Sequence, residues 1–80
     1  MYYAYVLESL RDGTYYYGSS DNPQARLCER HNKGKVVYTR ARMPWKLIYQ
    51  EQFLTRLEAV RREKFFKSGK GREFIKGLLK

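Results

Sequence analysis

The stretch YYAYVLESLRDGTYYYGS, running from Tyr2 to Ser19, decides the fold. Tyr2 to Ser9 and Thr14 to Ser19 are aromatic and β-branched runs, and between them Leu10-Arg11-Asp12-Gly13 ends on an Asp-Gly hairpin signal. They predict an antiparallel pair. Outward from it, Asn22-Pro23 supplies a helix cap followed by a proline at the first helical position. Asn32-Lys33-Gly34 supplies the stop, so a helix is expected over about residues 23–32. Residues 33–44, with Gly34 and Pro44 and no clear period, read as a loop, and Trp45 to Gln50 reads as a third strand. Thr55 and Glu58 form a capping box for a helix over about 56–68, closing at Ser68-Gly69, and a last short helix places Phe74, Ile75, Leu78 and Leu79 on one face. The expectation is an α+β fold: one domain over residues 1–80, with a small three-stranded antiparallel sheet flanked by helices in the order β-β-α-β-α-α.

Eighty residues bury only about 60% of the surface an unfolded chain exposes, so any polar group facing inward needs a reason. Residues 1–40 carry 6 basic and 4 acidic side chains, whereas residues 41–80 carry 11 and 4. The net charge of +9 therefore resides mainly in the second half, a pattern that points to a phosphate-bearing partner. The longest apolar run, Tyr2 to Leu7, falls far short of the ~18 residues a membrane span needs, and no long amphipathic helix is left to lie on a bilayer. A soluble, cytoplasmic protein without a membrane partner is expected. Cys28 is the single cysteine and His31 the single histidine, which excludes an internal disulfide and a His/Cys zinc site, and Cys28 reads as a packing residue.

Some residues do not fit a purely structural reading. On a helical wheel Ala59, Val60 and Phe66 share one arc with Glu63 at its centre, which aims a carboxylate at the core. Two explanations stand side by side, an ion pair with Lys67 four residues on, or a bound cation. Strand alternation puts Tyr3 and Tyr5 on one face, and Tyr16 opposite to Tyr15 and Tyr17. Gly18 weakens its strand and marks a place where another backbone or a ligand comes close. Arg26, one turn into the first helix, can reach the cleft of Tyr16, although spacing alone favours a solvated surface pair with Arg30. Ser68 to Arg72 reads as a flexible turn able to touch phosphate, without being a P-loop.

Taken together, Tyr3-Ala4-Tyr5, Tyr16-Tyr17-Gly18, Arg26 ten positions after Tyr16, and Glu63 within Arg62-Glu63-Lys64 resemble the GIY-YIG nuclease superfamily over nearly the whole chain. The resemblance is to its short stand-alone branch, related to the N-terminal nuclease domain of the DNA-repair excinuclease. Tyr3 stands for the first glycine of the signature, and Ala4 and Tyr17 for its isoleucines. The family's Tyr or His four residues after the arginine is replaced by Arg30, with His31 one position later, so that only an unwound or bulged helix end would bring His31 to the expected face. A late asparagine used in some members has Ile75 at about its position.

The resemblance implies a metal-dependent DNA endonuclease, with DNA repair or processing as its setting. Glu63 would hold Mg²⁺ or Mn²⁺, Tyr16 would act as general base or orient the nucleophile with Tyr5 hydrogen-bonded nearby, and Arg26 would stabilise charge on the phosphate, with His31 completing the catalytic set. Gly18, Arg30, Lys64, Lys67, Lys70 and Arg72 would contact the nucleic acid, chiefly its phosphates. A catalytically inactive nucleic-acid-binding module on the same scaffold is the alternative. So minimal a domain implies weak sequence choice and a target set by DNA shape or by a protein targeting partner.

Overall fold

The computed structural model describes residues 1–34 and 40–79, so the loop expected over 33–44 lies partly outside the described residues. Strands β1 (Tyr2–Ser9) and β2 (Tyr15–Ser20) pair antiparallel, with Tyr5 opposite Gly18 and Leu7 opposite Tyr16. The turn between them has a local cause. Gly13 sits at φ +77°, the left-handed region that glycine enters without steric cost, and its N–H donates to the Ser9 carbonyl at 2.9 Å. Asp12 Oδ1 accepts from the backbone and the hydroxyl of Thr14, and these bonds hold the Asp12 carboxyl down at about 2. Ser9 Oγ donates to the Arg42 carbonyl and Arg42 pairs with Asp12, which ties the approach to the third strand onto the turn.

The third strand, β3 (Trp45–Phe53), runs three residues beyond the expected Gln50 and pairs with the other side of β1. The sheet order is β2-β1-β3, so β1 is central and β2 is an edge. The expected α+β architecture and element order are what the structure shows. Residues Ala4 to Leu7 are all buried because both faces of β1 are covered. On one face Ala4, Val6 and Tyr17 pack with Phe66 and Ile75; on the other, Tyr5 and Leu7 pack with Leu27 and Trp45.

A bulge at Ile48, where Val6 pairs with Tyr49 but Leu7 with Leu47, shifts the alternation of β3 by one residue. Trp45 and Leu47 consequently join the Tyr5 face, while Tyr49 and Phe53 join the Phe66 face. No pattern of alternation in the sequence marks this switch.

Helix α1 (Pro23–Arg26) is capped by Asn22, whose Oδ1 accepts from Ala25 N at 3.1 Å, and passes directly into a π-helical turn, Leu27–His31. Helix α2 (Arg56–Lys67) starts on the expected capping box: Glu58 N donates to Thr55 Oγ1, and that hydroxyl donates to Glu58 Oε1. Helix α3 (Gly69–Leu79) begins much earlier than expected, and this corrects the reading of Ser68 to Arg72 as a flexible turn. Ser68 Oγ accepts from Gly71 N and donates to the Phe65 carbonyl, so these residues form a capped first turn. A Cβ on Gly71 would lie 1.8 Å from the Phe65 carbonyl oxygen, so glycine is what allows α3 to fold back on α2.

Candidate active site

The site is built around Tyr5. Its ring lies on the α1 side of β1, 1% exposed, and passes over the backbone of Gly18 on the neighbouring strand. A Cβ on Gly18 would stand 2.5 Å from Tyr5 Oη and 2.6 Å from Cζ. Gly18 is itself buried, and the absence of a side chain there leaves the room that the Tyr5 phenol occupies.

His31 enters through the π turn. On an α-helix the residue five after Arg26 would be turned away from Tyr5, but the wider turn over Leu27–His31 accommodates one extra residue and brings the imidazole inward. His31 is 1% exposed, its Nε2 shares a hydrogen bond of 3.2 Å with Tyr5 Oη, and its ring lies 5.0 Å from that of Tyr16. The side chain of the next residue fixes this end of the turn: Asn32 Nδ2 donates to the Trp45 carbonyl at 2.9 Å and Asn32 Oδ1 accepts from Trp45 N. Burial, reinforced by the charges of Arg26 and Arg30, holds the His31 imidazole down at about 4, so it is neutral at neutral pH. Burial also raises the Tyr5 phenol well above tyrosine's ordinary value; Tyr16 and Glu63 add to the shift and Arg26 opposes it. Four of the expected residues thus act on the electrostatics of Tyr5 or hydrogen-bond to it.

Glu63 comes from the opposite helical layer. Its side chain is 19% exposed at the margin of the core rather than inside it, and Oε2 accepts from Lys67 Nζ at 2.8 Å. Of the two explanations for its inward position, the ion pair is therefore formed. The layers of α1 and α2 meet because β2 is an edge strand. Tyr16, on the Tyr5 face, and Lys67, on the other, border one hollow together with Arg72. At the end of β2 a second hollow of about 170 Å³ lies between Arg26 of α1 and Arg56 and Ala59 of α2.

Arg56, which the sequence reading does not single out, borders the same hollow as Arg26. Its signal was the Thr55 cap, which fixes Arg56 at the first helical position, but only packing reveals that this position faces Arg26 across a hollow. Of the expected nucleic-acid contacts, Lys67 and Arg72 border the hollow beside Tyr16, whereas Arg30, Lys64 and Lys70 are exposed and stand outside the walls of these hollows.

For a metal ion, Glu63 offers one hard carboxylate with Oε2 engaged by a lysine. Among the described residues no group of three His, Cys, Asp or Glu side chains gathers. A single carboxylate suits Mg²⁺ or Mn²⁺, which retain waters and take oxygens from substrate phosphates; it does not suit a structural zinc.

A family model described as the GIY-YIG catalytic domain matches residues 1–76. The chain is 51% identical over 67 residues to a UPF0213 protein of Bacillus licheniformis, covering 82% of this chain and 67% of that one. It is 49% identical over 69 residues to a UPF0213 protein of Streptococcus pneumoniae, covering 85% and 68%. With a UPF0213 protein of Streptococcus agalactiae it shares 50% over 66 residues, covering 81% and 73%. No solved structure matches the chain significantly. None of the described helices is long and apolar enough to cross a membrane. The order of the signature residues, their convergence around one edge strand and the match over residues 1–76 agree: the chain belongs to the GIY-YIG family and carries its nuclease-type fold.

Proposed function

We propose that this protein is a cytoplasmic, divalent-metal-dependent DNA endonuclease domain that hydrolyses phosphodiester bonds in DNA repair or processing. The observation that carries the reading is the convergence of Tyr5, Tyr16, Arg26, His31 and Glu63, from both helical layers, around the edge strand β2. Glu63 would hold the Mg²⁺ or Mn²⁺ ion, which when bound supplies charge to a phosphate oxygen and a polarised water.

The remaining roles belong to the chain itself. Tyr16, half-buried and bordering the hollow with Lys67 and Arg72, meets the nucleophilic water and orients it or accepts its proton. Tyr5 stays a neutral phenol, because burial disfavours its phenolate, and together with His31 it forms an uncharged floor that holds the Tyr16 ring in place. Arg26 directs a permanent positive charge at the phosphate as negative charge builds on its oxygens. Lys67, now paired with Glu63, would be free to meet a substrate phosphate if the carboxylate held a metal. Neighbouring phosphates contribute affinity that falls with salt and carries no sequence choice.

The test is nicking of supercoiled or branched DNA with and without Mg²⁺, comparing the native chain with Glu63→Gln, Arg26→Ala and Tyr16→Phe. Metal-dependent cleavage lost in Glu63→Gln is expected. Activity unaffected by that substitution would overturn the mechanism, and salt-sensitive binding without cleavage would assign the scaffold to nucleic-acid binding alone.

A further inference from the structure

Two hollows open beside the tyrosine run of β2. One, about 460 Å³, has Tyr16, Lys67 and Arg72 in its wall; the other, about 470 Å³, reaches Arg42, Lys76 and the hairpin turn at Gly13. Both are bordered by Tyr15, Tyr17 and Arg72, so they adjoin along a shared wall and make up a groove with Tyr16 toward one end and the turn toward the other. Every charged side chain in its wall is a cation. Lys67 and Arg42 are paired with Glu63 and Asp12, while Arg72 and Lys76 take part in no ion pair among the described residues.

We propose that this groove binds a single strand of DNA leading away from the catalytic centre, its phosphates on Arg72 and Lys76 and its bases stacked against Tyr15. The proposal rests on the nuclease reading and narrows its substrate to DNA with an unpaired segment at or beside the cut. A duplex shows a protein its phosphates and groove edges while its base faces stay stacked inside, so aromatic-walled hollows would be wasted on it. An unpaired base can enter such a hollow and stack on a ring, and stacking is tolerant of sequence because every base has a flat face. Each hollow is within the volume range that takes a small planar ligand, roughly 300–1,000 Å³. Tyr15 is half-buried, which holds its ring and lowers the entropy cost of stacking. Cations alone would favour any nucleic acid; cations interleaved with aromatic rings in a concave track favour the single strand.

The experiment is fluorescence anisotropy on the intact chain in EDTA at fixed salt, with three labelled probes of equal length: oligothymidine, a duplex, and an abasic deoxyribose-phosphate strand. Oligothymidine is expected to bind about tenfold more tightly than either of the others. Tyr15→Leu, which keeps bulk without a flat ring, should lose about fivefold or more on oligothymidine and nothing on the duplex, and Tyr15→Phe should bind as the native chain does. Arg72→Ala with Lys76→Ala should weaken binding of all strands and flatten the salt dependence. Duplex or abasic probes binding as tightly as oligothymidine, or Tyr15→Leu behaving as Tyr15→Phe, would overturn the proposal. Its failure is separable from that of the nuclease reading: a chain that cuts DNA with Mg²⁺ yet shows no single-strand preference loses only this inference, and one that prefers the single strand but never cuts loses only the enzymatic one.

Discussion

Two carboxylate–cation pairs sit side by side on α2, contributed by the consecutive residues Arg62 and Glu63, and they serve opposite ends. Glu51 and Glu63 are almost equally sheltered, at 21% and 19% side-chain exposure, so burial does not distinguish them. Their partners do. Glu51 takes two bonds from Arg62, at 2.7 and 3.2 Å, and a third from the Tyr49 hydroxyl at 2.6 Å. The Arg62 guanidinium is enclosed by Phe65, Phe66 and Phe74, with ring centroids 4.6, 5.2 and 5.0 Å away. That carboxylate has its bonding capacity committed inside the protein. Glu63 is held at one oxygen by a lysine that is itself half exposed, and a pair of that kind is worth only about a few tenths of a kcal/mol. The first pair is a structural clamp across β3 and α2, and the second can be exchanged for a ligand.

Substitution of the two pairs should therefore separate folding from function. Glu63→Gln is expected to reduce metal-dependent cleavage by about 10³-fold, equivalent to about 4 kcal/mol of transition-state stabilisation, while the urea midpoint stays near that of the native chain. If its midpoint falls as far as that of an Arg62 variant, the contrast between the pairs is broken. Arg62→Ala should cost about 3 kcal/mol of stability in urea denaturation, because it leaves Glu51 and Tyr49 without their cation and opens the aromatic enclosure.

The pH dependence sharpens the comparison. His31 is depressed from its ordinary value to about 4 in the folded state, so between about pH 6.5 and 4 the unfolded chain binds a proton that the folded chain does not. Stability should be full above this window and fall by on the order of 2–3 kcal/mol across it, as read from urea titrations at several pH values. His31→Gln should remove that slope. Glu51 contributes in a lower window: although burial acts to raise it, the bonds and charge of Arg62 and the Tyr49 hydroxyl bring it below the usual carboxylate range. Its contribution is present above the unfolded value and is lost as pH falls through the folded one, a loss that Arg62→Ala should abolish.

Gly18→Ala should cost about 1–2 kcal/mol and displace Tyr5, with cleavage falling more than stability, because the new methyl collides with the phenol to which the proposed mechanism gives a role. Lys67→Met is expected to have the smallest effect on folding, under about 0.5 kcal/mol, while tightening Mn²⁺ binding measured by calorimetry as Glu63 loses its competitor. Unchanged Mn²⁺ affinity would place the metal somewhere other than Glu63.

Much of the fold is legible because its signals are short. The Asp-Gly turn, the Asn22 cap and the Thr55–Glu58 box each act through bonds closed within a few residues, and all three form as expected. What escapes a reading of the sequence depends on partners far along the chain. The bulge at Ile48 changes which face Trp45 occupies and leaves no local pattern; the π turn that brings His31 under Tyr5 is legible only as a condition, the bulged helix end that a histidine one position late would need. Ser68 to Arg72 reads as a turn because two glycines weaken helix propensity, yet the bonds of Ser68 and the close approach of Gly71 to Phe65 make it a helix start.

The sequence by itself determined the element order, the central aromatic hairpin, the concentration of positive charge in the second half and the set of residues worth suspecting. Composition, alternation and capping act locally and can be read without a neighbour. Only the tertiary structure decided that β2 is an edge, which lets side chains from both helical layers meet around it. The same packing decided that Gly18 seats Tyr5, that Lys67 holds Glu63, and that Arg56 faces Arg26. Those outcomes depend on distances between atoms supplied by separate elements, and such distances exist only once the chain has packed.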